Sequence, residues 1–229
     1  MTLRLLLAWL VHLYTASGAV LAFFSLFLIE RAEFQAVFWL MLLAVLIDAT
    51  DGSLARNLRV KELIPWFDGN RLEDIVDYLN YVLVPCFFLF RVDLLPKEDA
   101  VWLVVVPLVA SAYGFCQREA KTSDHFFLGF PSYWNIVVFY LYVMQTPHWI
   151  NAFLILILSA LVFVPMKYLY PSRSPILRGL TVSLGIIWGI LVVTIIYDLP
   201  SPPMPLVLVS LLFPAYYMVV SFWLSVRQS

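Results

Sequence analysis

Charge is what this sequence has least of. Only 13% of its 229 residues are charged, against 63% hydrophobic, whereas soluble domains carry about 25% charged residues. That shortage excludes an ordinary water-soluble domain, since most of the apolar surface has to face lipid. Charge of one sign is missing too. The formal net charge is −1, which gives no basic surface for a nucleic acid. There are two cysteines, Cys86 and Cys116. Both sit in apolar runs and have no metal-ligand spacing, so they read as small hydrophobes. His12, His125 and His148 are scattered, and the pattern assigns them no role. No internal repeat, linker or low-complexity segment interrupts the chain.

What is present is a series of long apolar runs. A membrane-spanning helix needs roughly 20 apolar residues, because the hydrocarbon layer is about 30 Å thick. Eight such segments are expected, at about 5–28, 34–56, 72–92, 100–118, 131–147, 149–169, 176–197 and 203–225. The fold expected is all-α, one polytopic bundle over residues 1–229. The first run is too long for a signal-peptide core and is expected to be a span. Prolines 65, 96, 131, 147, 171, 200, 202 and 203 fall where helices should end.

Basic residues orient the bundle. With the N-terminus cytoplasmic, Arg4, Arg56, Arg59, Lys61, Arg71, Arg118, Lys121, Lys167, Arg173, Arg178 and Arg227 share the cytoplasmic side, and only Arg31, Arg91 and Lys97 lie opposite. Both termini are then cytoplasmic. The cytoplasmic basic residues read either as a topology signal or, at Arg118, Lys121, Arg173 and Arg178, as a pocket for phosphate or anionic headgroups.

Against this apolar background a few acids stand out. Asp48 and Asp51 follow directly on the second apolar run, and Glu73, Asp74 and Asp77 open the third. An acid near the bilayer centre costs roughly 3 kcal/mol or more, and such residues usually mark function. Asp48 and Asp51 are three apart; Glu73 and Asp77 are four apart. Each pair shares a helix face, and both faces lie at the cytoplasmic ends of neighbouring spans. Met together, they form a four-carboxylate cluster. Like charges about 4 Å apart repel by about 4 kcal/mol at an effective dielectric of 20. A divalent ion relieves this, and an all-oxygen site suits Mg²⁺ or Mn²⁺. The alternative is a charged rim, with the acids paired to Arg56, Arg59 and Arg71. Gly52 favours the first reading: a mid-helix glycine costs up to about 1 kcal/mol, and with Ala55 it leaves one side open to a ligand.

The pattern Asp48-x-x-Asp51-Gly52-x-x-Ala55-Arg56, then Gly69-x-x-x-Glu73-x-x-x-Asp77, resembles the signature of the CDP-alcohol phosphatidyltransferase family. It departs from that signature in two places. Glu73 stands where the family has aspartate; Asp74 is adjacent, but the register favours Glu73. Twelve residues separate Arg56 from Gly69, a longer spacer than in much of the family. That spacer, the stretch 113–135 and the eight-span layout look like the family's bacterial choline-using branch.

The resemblance implies transfer of the phosphatidyl group from CDP-diacylglycerol to choline, releasing CMP, in the bacterial inner membrane. It implies two Mn²⁺ or Mg²⁺ ions held by Asp48, Asp51, Glu73 and Asp77, with Asp77 as general base. Gly52, Ala55, Arg56 and Gly69 would border the nucleotide, and a homodimer is compatible with it. Choline's quaternary ammonium is bound by aromatic faces beside an acid. Tyr81, one turn after Asp77, with Tyr78, Trp66, Tyr113, Tyr133 and Trp134, are the candidates, and Glu119 is a candidate counter-charge. Any of these aromatics reads equally as interfacial belt. Two other readings stay open. One keeps the chemistry with serine, glycerol phosphate or inositol phosphate as acceptor. The other is a transporter using the acids as a relay, which inverted repeats would favour and their absence here disfavours.

Overall fold

A computed structural model describes residues 3–117, 122, 126–170 and 177–227. Arg118, Glu119, Lys121, His125 and Arg173 therefore lie outside the described residues. Each of the eight expected segments contains a helix. The first two are α1 (Leu3–Glu30) and α2 (Phe34–Asn57). A short α3 (Val60–Leu63) follows, then α4 (Gly69–Asp77), which runs through a π-helical stretch (Tyr78–Leu83) into α5 (Val84–Arg91) as one rod. Next come α6 (Ala100–Cys116), α7 (Trp134–Met144), α8 (His148–Leu161), α9 (Arg178–Tyr197), α10 (Met204–Ser210) and α11 (Leu212–Arg227). Four helical segments, 3–30, 34–57, 178–197 and 204–227, are long and apolar enough to cross a membrane by themselves. Together with the shorter apolar helices they form a polytopic all-α membrane bundle.

The helices are built to face lipid. In α1 the buried positions are mostly small or polar, Ala8, Thr15, Gly18, Ala22 and Ser25 among them, spaced by three or four. Its exposed positions include Leu10, Leu13, Phe23, Phe24 and Phe27. Small residues at the interface let backbones approach, and large apolar ones meet lipid. At Gly18 the approach is closest: an added Cβ would lie 2.5 Å from Val76 Cγ1 on α4. Gly18→Ala is expected to cost about 1–3 kcal/mol by overpacking, read as a lowered unfolding midpoint in detergent. Val76→Ala in the same chain should restore most of the loss.

The π-helical stretch has a local cause. Pro85 has no N–H to donate to the carbonyl one turn back, and a wider turn absorbs the missing bond. Asn80, inside that stretch, donates from Nδ2 to the carbonyls of Gly18 and Val76, both at 2.9 Å. This ties the rod to α1 beside the acids.

One expected span needs correction. The segment expected to span 149–169 is helical only to Leu161. Its end instead forms β2 (Lys167–Leu169), paired antiparallel with β1 (Phe126–Leu128), Phe126 opposite Leu169. Ser221 and Ser225 of α11 accept hydrogen bonds from the Leu169 and Lys167 amides, so this edge strand is satisfied by side chains. The last segment, 204–227, has the length of a span as expected, with one interruption along it. Pro214 cannot donate to Ser210, and the chain breaks between α10 and α11.

Candidate functional site

Local sequence signals place the acids. Arg59 takes a left-handed φ of 51° just past α2, a common helix stop. Asp68 restarts the helix by accepting from the Arg71 amide at 3.2 Å. The α2 end and the α4 start are thereby held side by side, both against α1.

Asp48, Glu73 and Asp77 each offer a carboxylate oxygen, and the three atoms lie within 4.8 Å of one another. Glu73, not Asp74, is therefore the acid brought to the aspartates, as its four-residue spacing from Asp77 requires. Asp51 stands one turn from Asp48. It is 5% exposed and accepts a 2.7 Å hydrogen bond from Thr15 Oγ1 of α1. Asp48 Oδ2 accepts from the Tyr81 hydroxyl at 2.8 Å. Asp48, Asp51, Asp77, Thr15 and Tyr81 also surround one small cavity.

The charged-rim reading loses two of its three arginines. Arg59 pairs with Glu62, and Arg71 pairs with Asp68 at 3.2 Å. Arg56 folds back over Gly52, where an added Cβ would lie 3.1 Å from its guanidinium. Gathered acids with hard oxygen donors fit a divalent cation.

Asp48, Asp51 and Glu73 open onto a cavity of about 1330 Å³, while Asp77 lines the small cavity that adjoins it at Asp48. Asp48, Asp51, Glu73, Gly52, Ala55, Arg56, Gly69 and Trp66 line the large cavity, and so does Tyr81. Of the other aromatic candidates, Tyr133 lines it as well. Tyr78 does not: its hydroxyl donates to the Leu108 carbonyl at 2.9 Å and its ring meets Phe115. Tyr113 is 49% exposed and packs on Phe163. Trp134 is fully buried, donating to Ser111. Glu119 lies outside the described residues.

Sequence reasoning missed Thr15, Tyr170 and Tyr217. Tyr170 and Tyr217 line the cavity too. The Tyr217 ring stands edge-on to Tyr133, centroids 6.1 Å apart, and its hydroxyl donates to the Leu169 carbonyl at 2.9 Å. Nothing in the sequence marks Tyr217 among the chain's 12 tyrosines. Thr15 had a faint signal, as a hydroxyl on the small-residue face of α1.

No protein-family model matches the chain. Several curated proteins do. It is 43% identical over 223 residues to a phosphatidylcholine synthase of Legionella pneumophila, covering 94% of this chain and 88% of that protein. It is 42% identical to a phosphatidylcholine synthase of Legionella bozemanae, covering 90% and 98%. It is 38% identical to one of Pseudomonas aeruginosa, covering 96% and 93%.

Proposed function

The chain belongs to the phosphatidylcholine synthase family, and we propose that it carries the phosphatidyl group from CDP-diacylglycerol to choline and releases CMP. The observation that carries this reading is the meeting of Asp48, Glu73 and Asp77 within 4.8 Å, where Asp48 and Glu73 line a cavity walled by tyrosines and Asp77 lines the small cavity that adjoins it at Asp48. One new bond forms, from choline oxygen to the lipid-side phosphorus. One breaks, from that phosphorus to the CMP oxygen. The choline proton goes to a base.

Asp77 is that base, as the match to the family signature implies. A positioned carboxylate takes the proton as the oxygen attacks. Asp48 and Glu73, with Asp51 beside them, are the residues that would hold Mn²⁺ or Mg²⁺. A divalent ion there would offset the charge of the pyrophosphate and of departing CMP. Tyr81 orients Asp48 through its hydrogen bond, and Thr15 does the same for Asp51. Gly52, Ala55, Arg56 and Gly69 border the nucleotide.

Choline is held by Tyr81, Tyr133 and Tyr217. Aromatic faces attract a quaternary ammonium by about 1–2 kcal/mol when water is excluded. Tyr217→Leu is expected to raise the choline KM about tenfold, since about 1.4 kcal/mol is a factor of ten. Tyr217→Phe, which keeps the ring, should stay within about twofold, and neither should move the CDP-diacylglycerol KM. The cytoplasmic face of the inner membrane is the side that the basic residues Arg56, Arg59, Lys61 and Arg71 support for this site.

An acceptor panel tests the reaction. Purified protein with CDP-diacylglycerol and Mn²⁺ should release CMP with choline. Release with serine, glycerol phosphate or inositol phosphate instead would keep the chemistry and overturn the acceptor.

A further inference from the structure

Among the described residues, the buried side-chain atoms without a hydrogen-bond partner include His12 Nε2. His12 is 8% exposed and lines the large cavity. Its ring is held from several sides. A Cβ at Gly69 would lie 2.9 Å from its Cε1. It packs on the Phe67 ring at 4.5 Å between centroids, tilted by 49°, and Trp9 meets it edge-on at 5.8 Å. A buried polar atom left unpaired destabilises the free protein and points to a missing partner.

The level at which His12 sits identifies that partner. On α1 it lies three residues before Thr15, which holds Asp51. On α2, Ala55 lies four residues past Asp51. On α4, Gly69 lies four residues before Glu73. All three are one helical turn, about 5.4 Å, from the acids, displaced toward the same end of the bundle. All three line the cavity. If the diphosphate sits at the acids, the next group of the nucleotide reaches this level.

We propose that His12 Nε2 hydrogen-bonds the nucleoside of the CDP group, with Phe67 as the apolar wall beside it. This rests on the reaction proposed above. The donor and acceptor groups of the cytosine edge and the ribose suit an imidazole nitrogen. An aromatic face beside a base is the usual stacking surface. Gly69, besides bordering the nucleotide, leaves just the room that fixes the imidazole.

The test uses the full-length protein in detergent with Mn²⁺. His12→Ala should weaken CMP binding and raise the CDP-diacylglycerol KM by the same factor, about tenfold for one lost hydrogen bond. Inorganic pyrophosphate affinity and the choline KM should stay within about twofold. His12→Gln, which offers polar atoms at a similar reach, should recover most of the CMP affinity and serves if the alanine variant does not fold. Gly69→Ala should also weaken CMP binding, but by a smaller factor in the His12→Ala background, because part of its effect passes through the ring it packs against. Unchanged CMP affinity in His12→Ala would overturn the inference. So would an equal loss of pyrophosphate affinity, which would place the contact on phosphate, or losses at His12 and Gly69 that simply multiply. Failure of the reaction itself is seen separately, as wild-type protein that releases no CMP with choline.

Discussion

Asp77→Asn should lower kcat by about 10²–10⁴, the usual contribution of a positioned base, and leave the CDP-diacylglycerol KM within a few-fold. The substitution keeps the shape of the side chain and removes its ability to take a proton. Asp77 shares its trio with Asp48 and Glu73, so part of the loss is weakened cation binding. Excess Mn²⁺ separates the two parts. It should recover only the binding share and leave a residual loss of at least about a hundredfold. Full recovery at high Mn²⁺ would make Asp77 a ligand alone and move the base elsewhere.

Glu73→Gln should raise the half-saturating Mn²⁺ concentration by about 10- to 100-fold, the range seen when groups supporting a bound ion are lost. Saturating Mn²⁺ should return most of the turnover, the opposite of the Asp77 result. Asp74→Asn should change neither quantity, because the adjacent acid lies outside the trio. A titration of activity against Mn²⁺ for the three variants reads all of this at once. If Asp74→Asn shifts the curve and Glu73→Gln does not, the register drawn from the helix is off by one.

The legible parts of this molecule are those with a period. Hydropathy placed a helix in each apolar segment because lipid demands long apolar runs, and helical spacing picked Glu73 over Asp74. The same spacing placed Tyr81 on the face of Asp77, and its hydroxyl indeed reaches Asp48 at 2.8 Å. What stayed hidden depends on contacts between distant segments. Thr15 meets Asp51 across 36 residues, and Tyr217 comes to the cavity from the far end of the chain. Tyr78 was a further candidate beside Tyr81, but the π-helical stretch begins there and Tyr78 donates to α6 instead. The β1–β2 pair rests on three residues a side and on hydroxyls from α11, which leaves no alternation long enough to read. In the sequence His12 is one of three scattered histidines; only the approach of Gly69 and the closed ring cage show what its position demands.

The most direct test follows choline itself into the lipid. Purified protein in vesicles holding CDP-diacylglycerol receives labelled choline and Mn²⁺, and labelled lipid and free CMP are measured together. The proposed reaction predicts labelled phosphatidylcholine and CMP in equal amounts, both abolished by chelation and both cut by about a hundredfold or more in Asp77→Asn. Labelled lipid without matching CMP, or no labelled lipid while CMP is still released, would contradict it.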